Sequence, residues 1–375
     1  MLNAKISDLK PLFNSVILPF SATRLVLLLV GWLANVFRAN QFYPIRQAVE
    51  RGWQFTPYRV FDIFARWDTS WYYTLANNGY VTTPDRFNLS FAPLYPFLIK
   101  ASTWFTLGCT HHRTTFTIIS VTIANLAFLG ALLILTRALA HMGLSGQHIS
   151  KTIWLILIFP FSFFFSAAYT ESIFLFMMVA AFAFSLKNQW LLAAVTAALA
   201  ALAHPLGLLV PVAVLVTYLM QNKSRVRLKE LAYFLLSPLL FFLYILVVHS
   251  FSGDWLSFFK PNYPWLALLW QIGSFTWLQI LNITVVLIFA VFLAVYLWRY
   301  QAKVWAAIGV LFVVLPLFLA SPYSWSRLSL IAFPAYVSLA GFLENRPQLS
   351  RAVDLLFWPL QCLLFAAWVR FYFAG

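Results

Sequence analysis

Apolar stretches of about 20 residues, separated by short polar gaps, recur along the whole chain. A helix needs roughly 20 residues to cross a hydrocarbon core of about 30 Å, so each stretch is expected to be one crossing. Eleven are predicted: Ile17–Phe37, Phe116–Thr136, Thr152–Phe164, Phe165–Leu186, Trp190–Ala203, Leu206–Met220, Leu231–Val248, Trp277–Trp298, Trp305–Ala320, Leu328–Phe342 and Val353–Val369. Thr152–Leu186 can also be drawn as one helix kinked at Pro160, and Trp190–Met220 as another. A helix as long as the first would run to about 50 Å, well beyond the core, so two crossings are expected in each region. The short alternating segments of a transmembrane β-barrel are absent from the sequence. The expected fold is therefore all-α and polytopic, one transmembrane domain over residues 1–375.

Composition agrees. The 375 residues are 62% hydrophobic and 9% charged, against about 25% charged in soluble domains. The net charge of +15 would suit a nucleic-acid partner, but most Lys and Arg lie in the gaps between apolar runs, where membrane orientation accounts for them. Nucleic acid is excluded on that ground. Lys5, Lys10, Arg137, Lys151, Lys187, the Lys223–Lys229 cluster, Arg299, Lys303, Arg346 and Arg351 all fall on one side, which is expected to be cytoplasmic. Residues 38–115 form a long outer loop whose Trp and Tyr content predicts interfacial helices. No cleavable signal peptide is evident, because the first apolar run is too long for a signal core. Cys109 and Cys362 imply no disulfide framework, and His111-His112 has no third ligand in view, so no metal is expected.

The acidic residues carry most of the chemical information, since only ten are present. Asp68 follows Arg66-Trp67, Glu171 lies in Tyr169-Thr170-Glu171-Ser172, and Asp254 lies in Gly253-Asp254-Trp255. His204 precedes Pro205-Leu206-Gly207, and Arg327 starts the tenth crossing. All five map to the expected outer face, and ionisable groups at membrane depth mark functional cavities. Each also has a plainer account: Asp68 paired with Arg66 or capping a helix, Glu171 capping the helix it starts, His204 as a satisfied loop histidine, Asp254 as a turn residue, Arg327 snorkelling to headgroups. Glu230, Glu344 and Asp354 sit beside basic residues at the opposite face and need no function. No Walker loop or dinucleotide fingerprint occurs, so a catalyst here would draw on a membrane-borne, pre-activated substrate.

Several blocks, in order, resemble those of a known family. Arg66-Trp67-Asp68-Thr69-Ser70-Trp71-Tyr72-Tyr73 with Ala76-Asn77-Asn78-Gly79-Tyr80 resembles the signature of the PIG-V family, the mannosyltransferases that add the second mannose in GPI-anchor assembly, with their bacterial relatives. Phe91-Ala92-Pro93-Leu94-Tyr95-Pro96, Phe159-Pro160 with Tyr169–Ser172, Gly253-Asp254-Trp255 through Phe258, and Arg327 with Phe333-Pro334 resemble its later blocks. His204 departs from the pattern, which has Arg before Pro-x-Gly. The resemblance implies a GT-C fold, a polyprenyl- or dolichyl-phosphate sugar donor, a lipid or glycan acceptor, inversion at the anomeric carbon, and no cofactor.

The residues fit those expectations. Direct displacement needs a base at the acceptor hydroxyl, for which Asp68 is the candidate. The departing lipid phosphate needs donors, and Arg327 and His204 are candidates, with Arg66, Glu171 and Asp254 as further binding residues. Trp67 and Tyr72 offer apolar surface to a sugar or prenyl chain. The competing expectation is a transporter or flippase of a lipid-linked or small polar substrate, whose charges would more often sit at the midplane within repeats. The loop pattern points to a multi-pass protein of a bacterial inner membrane with its site facing out.

Overall fold

The computed structural model describes residues 12–37, 55–56, 58–80, 87–102, 112–223, 226–258, 277–300, 302–320 and 324–370. Lys5, Lys10, Arg38, Cys109, His111 and Arg225 lie outside the described residues. Among those described, the secondary structure is helical, with no strand. Five helices are long and apolar enough to cross a membrane: Phe13–Val36, Arg113–His141, Leu228–Ser252, Trp277–Arg299 and Pro347–Val369. Shorter apolar helices, Glu171–Leu186, Trp190–Ala203, Pro205–Gln221, Lys303–Leu317 and Phe333–Leu343, pack with them. The chain is an integral membrane protein.

At two places proline makes the helices depart from the predicted crossings. Gly146–Ile158 is a helix, but Phe159, preceding Pro160, has ψ 137°, the extended conformation that proline imposes on its predecessor. A 3-10 turn, Ser162–Phe165, follows, and the next helix starts at Glu171, not Phe165. Leu328–Phe342 is likewise split into Trp325–Ser329 and Phe333–Leu343. Pro334 has no N–H to donate, so the helix restarts with it in the first turn.

The break at Pro160 frees carbonyls inside the bundle, and a buried acceptor left unbonded costs about 1–3 kcal/mol. Gln361 Nε2 donates to the carbonyls of Leu157 and Phe159, both at 3.0 Å. Arg24, in the middle of the first crossing, donates to Leu157 O at 3.0 Å and to Ser166 Oγ at 2.9 Å. The first and last helices thus hold the non-helical segment 159–170 open, and that segment delivers Tyr169, Thr170 and Glu171 to the site.

The described part of 38–115 contains short helices, Arg59–Asp62, Thr69–Asn78 and Leu94–Ala101. They fold onto the bundle: Tyr95 is buried and its hydroxyl donates to Ser120 O at 2.9 Å. At the opposite end of the Pro347–Val369 helix, Asp354 accepts from Lys151 Nζ at 2.8 and 2.9 Å, and Glu344 from Ser145 Oγ at 3.1 Å. These two acids are engaged by neighbours.

Candidate active site

The site begins with a tight turn. Arg66 is 0% exposed and its guanidinium is closed on Asp62. It also donates to the carbonyls of Ala65 at 2.9 Å and Val369 at 3.2 Å. Asp62 in turn accepts the N–H groups of Phe55 at 2.7 Å and Thr56 at 2.9 Å. Sequence reading placed Arg66 among the binding residues; its burial and its partners instead make it a strut for the turn. Its carbonyl accepts from Thr69 Oγ1 at 2.9 Å and from the Tyr169 hydroxyl at 3.0 Å, and that hydroxyl accepts the Asp68 N–H at 3.2 Å. Tyr169 carries no charge that would mark it in the sequence. Its only signal was its place next to Thr170-Glu171.

Trp67, between the strut and the carboxylate, has φ 51°. A bulky residue in the left-handed region is strained, and such strain persists only where the surroundings enforce it. The turn leaves Asp68 at the N-terminus of Thr69–Asn78 with no side-chain capping bond, so capping does not explain it. It does not pair with Arg66 either. Asp68 Oδ2 accepts from Arg327 Nη1 at 2.8 Å, across 259 positions of sequence.

Arg327 joins two carboxylates. Its Nε lies 3.4 Å from Glu171 Oε1, and its guanidinium sits over the rings of Tyr169, 5.3 Å from the centroid, and Phe164, 5.7 Å. Burial alone would push the guanidinium down. Asp68, Glu171 and Tyr169 outweigh burial and hold it above its ordinary value, so it is a permanent cation. Its Nη2 makes no hydrogen bond among the described residues. Burial differs between the two acids: the Asp68 side chain is 31% exposed and that of Glu171 is 4% exposed. Asp68 is thus the more accessible of the two acids, and Glu171 lies at the buried floor of the cluster.

His204 ends the Trp190–Ala203 helix at that floor. Thr170 Oγ1 donates to Ala203 O at 2.6 Å, and the imidazole stacks on Phe174 at 5.0 Å and 10°. The turn that carries it needs Gly207, because a Cβ there would meet Ala200 O at 1.9 Å. Burial, then the charge of Arg327, pushes the imidazole down to about 3, so it is neutral near pH 7. Nδ1 accepts the Leu206 N–H at 3.1 Å, which leaves the proton on Nε2.

Tyr72 is buried, with its ring edge-on to Phe91 at 5.1 Å and to Tyr95 at 5.2 Å. Burial and then the charges of Glu171 and Asp68 hold its phenol protonated. Its ring is packed into the wall and not laid open to a ligand. Asp254 is not brought into the cluster among the described residues: its Oδ1 accepts the Leu256 N–H at 3.0 Å, next to a smaller core of Tyr80, Leu89, Tyr244 and Phe258. Asp68, Glu171, Arg327 and His204 are the ones that converge, with Tyr72 and Tyr169 as walls. No protein-family model matches this chain, and no curated protein does.

Proposed function

We propose that the protein is a membrane glycosyltransferase of GT-C type, related to the PIG-V mannosyltransferases, which moves a sugar from a polyprenyl-phosphate donor to a lipid or glycan acceptor on the outer face. One observation carries the reading: a partly exposed carboxylate, Asp68, is oriented by an arginine that also contacts a second, buried carboxylate. The acceptor hydroxyl attacks the anomeric carbon as the bond to the phosphate oxygen breaks. The hydroxyl proton passes to Asp68, and the polyprenyl phosphate leaves with the electron pair. Asp68 takes that proton late in the transition state, as a positioned general base does. The Nη2 edge of Arg327, which makes no hydrogen bond among the described residues, faces the departing phosphate, and a planar fork suits that anion. An isoprenoid donor stays in the bilayer, which is why no nucleotide-binding motif is required.

The test uses purified protein in vesicles of defined orientation. Transfer is expected from a polyprenyl-phosphate sugar to an impermeant acceptor on the side opposite the Lys223–Lys229 cluster, and none from a nucleotide sugar alone. Transfer from the nucleotide sugar without a lipid carrier, or only on the basic side, would overturn the reading. Movement of substrate across sealed vesicles without transfer would favour the transporter instead.

Arg327→Lys should lower turnover by roughly 10–100-fold, the equivalent of one charge-assisted contact of about 1.5–3 kcal/mol, because an ammonium cannot hold two carboxylates and a phosphate in one plane. Single-turnover rates on folded protein give the answer; wild-type turnover in that variant would remove Arg327 from the mechanism.

A further inference from the structure

Glu171 has a carboxylate oxygen that no described residue bonds. The residue is 3% exposed, and Oε2 is sealed from solvent with no hydrogen bond among the described residues. A buried polar atom left in this state costs about 1–3 kcal/mol, and a charged one more. The surrounding fold enforces the arrangement: Thr170 is tied to Ala203, and Ser172 Oγ donates to Phe165 O. What Oε2 lacks is a donor.

His204 supplies the complementary half. With Nδ1 occupied by the Leu206 N–H, the ring offers one donor, Nε2–H, which makes no hydrogen bond among the described residues. Its stacking partner, Phe174, lies one turn after Glu171 on the same helix, and the Thr170–Ala203 bond fixes the two backbones together. An acceptor that needs a proton and a donor that needs an oxygen therefore sit on neighbouring supports. A hydroxyl satisfies both, since it donates once and accepts through its lone pairs. A phosphodiester does not, because it has no proton to give Glu171 Oε2 and a neutral imidazole brings it no countercharge.

We propose that Glu171 and His204 are specificity-determining residues that together recognise one hydroxyl of the transferred sugar, Glu171 Oε2 accepting its proton and His204 Nε2–H bonding its oxygen. This rests on the transferase reading above. The assignment to the transferred sugar, and not to the acceptor, follows from burial: Glu171 is on the closed side of Arg327, and Asp68 is on the open side where the acceptor enters. It also gives the histidine at this position a different job from the arginine of the family pattern, replacing charge with a directional neutral contact.

The experiment measures kcat/KM for the wild type with the preferred polyprenyl-phosphate sugar and with analogues in which each sugar hydroxyl in turn is replaced by hydrogen. A parallel series removes hydroxyls from the acceptor. For one position on the donor sugar the wild type should lose about 10²-fold or more, since a site built around a hydroxyl rejects the analogue that lacks it by up to 10⁴–10⁵. Glu171→Gln and His204→Phe, the latter keeping the stack on Phe174, should be slow with the parent donor yet discriminate against that analogue by less than about tenfold. Undiminished discrimination in both folded variants overturns the pair, and so does a loss of discrimination confined to the acceptor series. Ligand protection against thermal unfolding separates this from the transferase reading. Protection that depends on one hydroxyl, without any transfer, keeps the pair and overturns the enzyme. Neither protection nor transfer by any sugar lipid overturns both.

Discussion

Asp68→Asn should lower single-turnover transfer by about 10²–10⁴-fold, the usual contribution of a positioned general base, with donor affinity close to that of the wild type. Asparagine keeps the shape of the side chain and its place at the head of Thr69–Asn78, but cannot accept the acceptor's proton. One oxygen is held by Arg327 at 2.8 Å, so orientation does not depend on the substrate arriving. The ion pair lost in the variant is about a third exposed on the Asp68 side, and Arg327, at 14% exposure, keeps its contact with Glu171, so its charge stays compensated. The variant should therefore fold, and its deficit should be one of rate. Glu171 is the rival carboxylate. Its burial and its place beyond Arg327 suit binding, so Glu171→Gln should weaken donor selection before chemistry. Normal turnover in Asp68→Asn together with lost turnover in Glu171→Gln would show that the base has been assigned to the wrong acid.

The sequence made some of this architecture legible and hid the rest for physical reasons. Length and apolarity locate apolar helices well, and Trp277–Arg299 and the shorter Trp190–Ala203 lie close to where the pattern puts them. Periodicity cannot show that the segment from Phe159 to Thr170 leaves the helix, since its residues remain apolar; Pro160 was the one local sign. Isolated charges in apolar sequence marked Asp68, Glu171 and Arg327, and those three do meet. The same rule applied to Arg24, a lone charge inside the first apolar run, would have found the residue that braces the break. What the pattern could not supply was pairing. Asp68 has an arginine two positions away, but that arginine is turned inward to Asp62, and the partner of Asp68 lies 259 positions along the chain. Adjacent residues on a turn point in different directions, so sequence proximity was a poor guide to charge pairing here.

That inward turn leads to the largest expected effect on stability. Removing one member of a buried ion pair leaves the other charge unpaired, which costs about 3–5 kcal/mol, and Arg66 and Asp62 are both buried. Arg66→Met should lower stability by that order, read as an unfolding temperature well below wild type in the same detergent. The variant also leaves Val369 O without its donor, which loosens the last helix where it meets the turn. Asp62→Asn should be comparably harmful, as it takes the carboxylate from the guanidinium and weakens the two bonds accepted from the Phe55 and Thr56 N–H groups. The combined change, Asp62→Leu with Arg66→Met, removes both charges, and apolar replacement of a buried pair is often close to neutral. It should therefore cost less than the sum of the single changes, although not nothing, because the backbone groups served by the pair stay unserved. A substrate contact would behave differently: Arg66→Met would then unfold at the wild-type temperature and lose only donor affinity. A positioning role predicts the reverse order, with unfolding first and, in protein still folded at low temperature, a fall in turnover as the 65–69 turn ceases to hold Asp68 against Arg327. Wild-type unfolding temperature in Arg66→Met would return this residue to the binding site and leave the strained turn at Trp67 without its support.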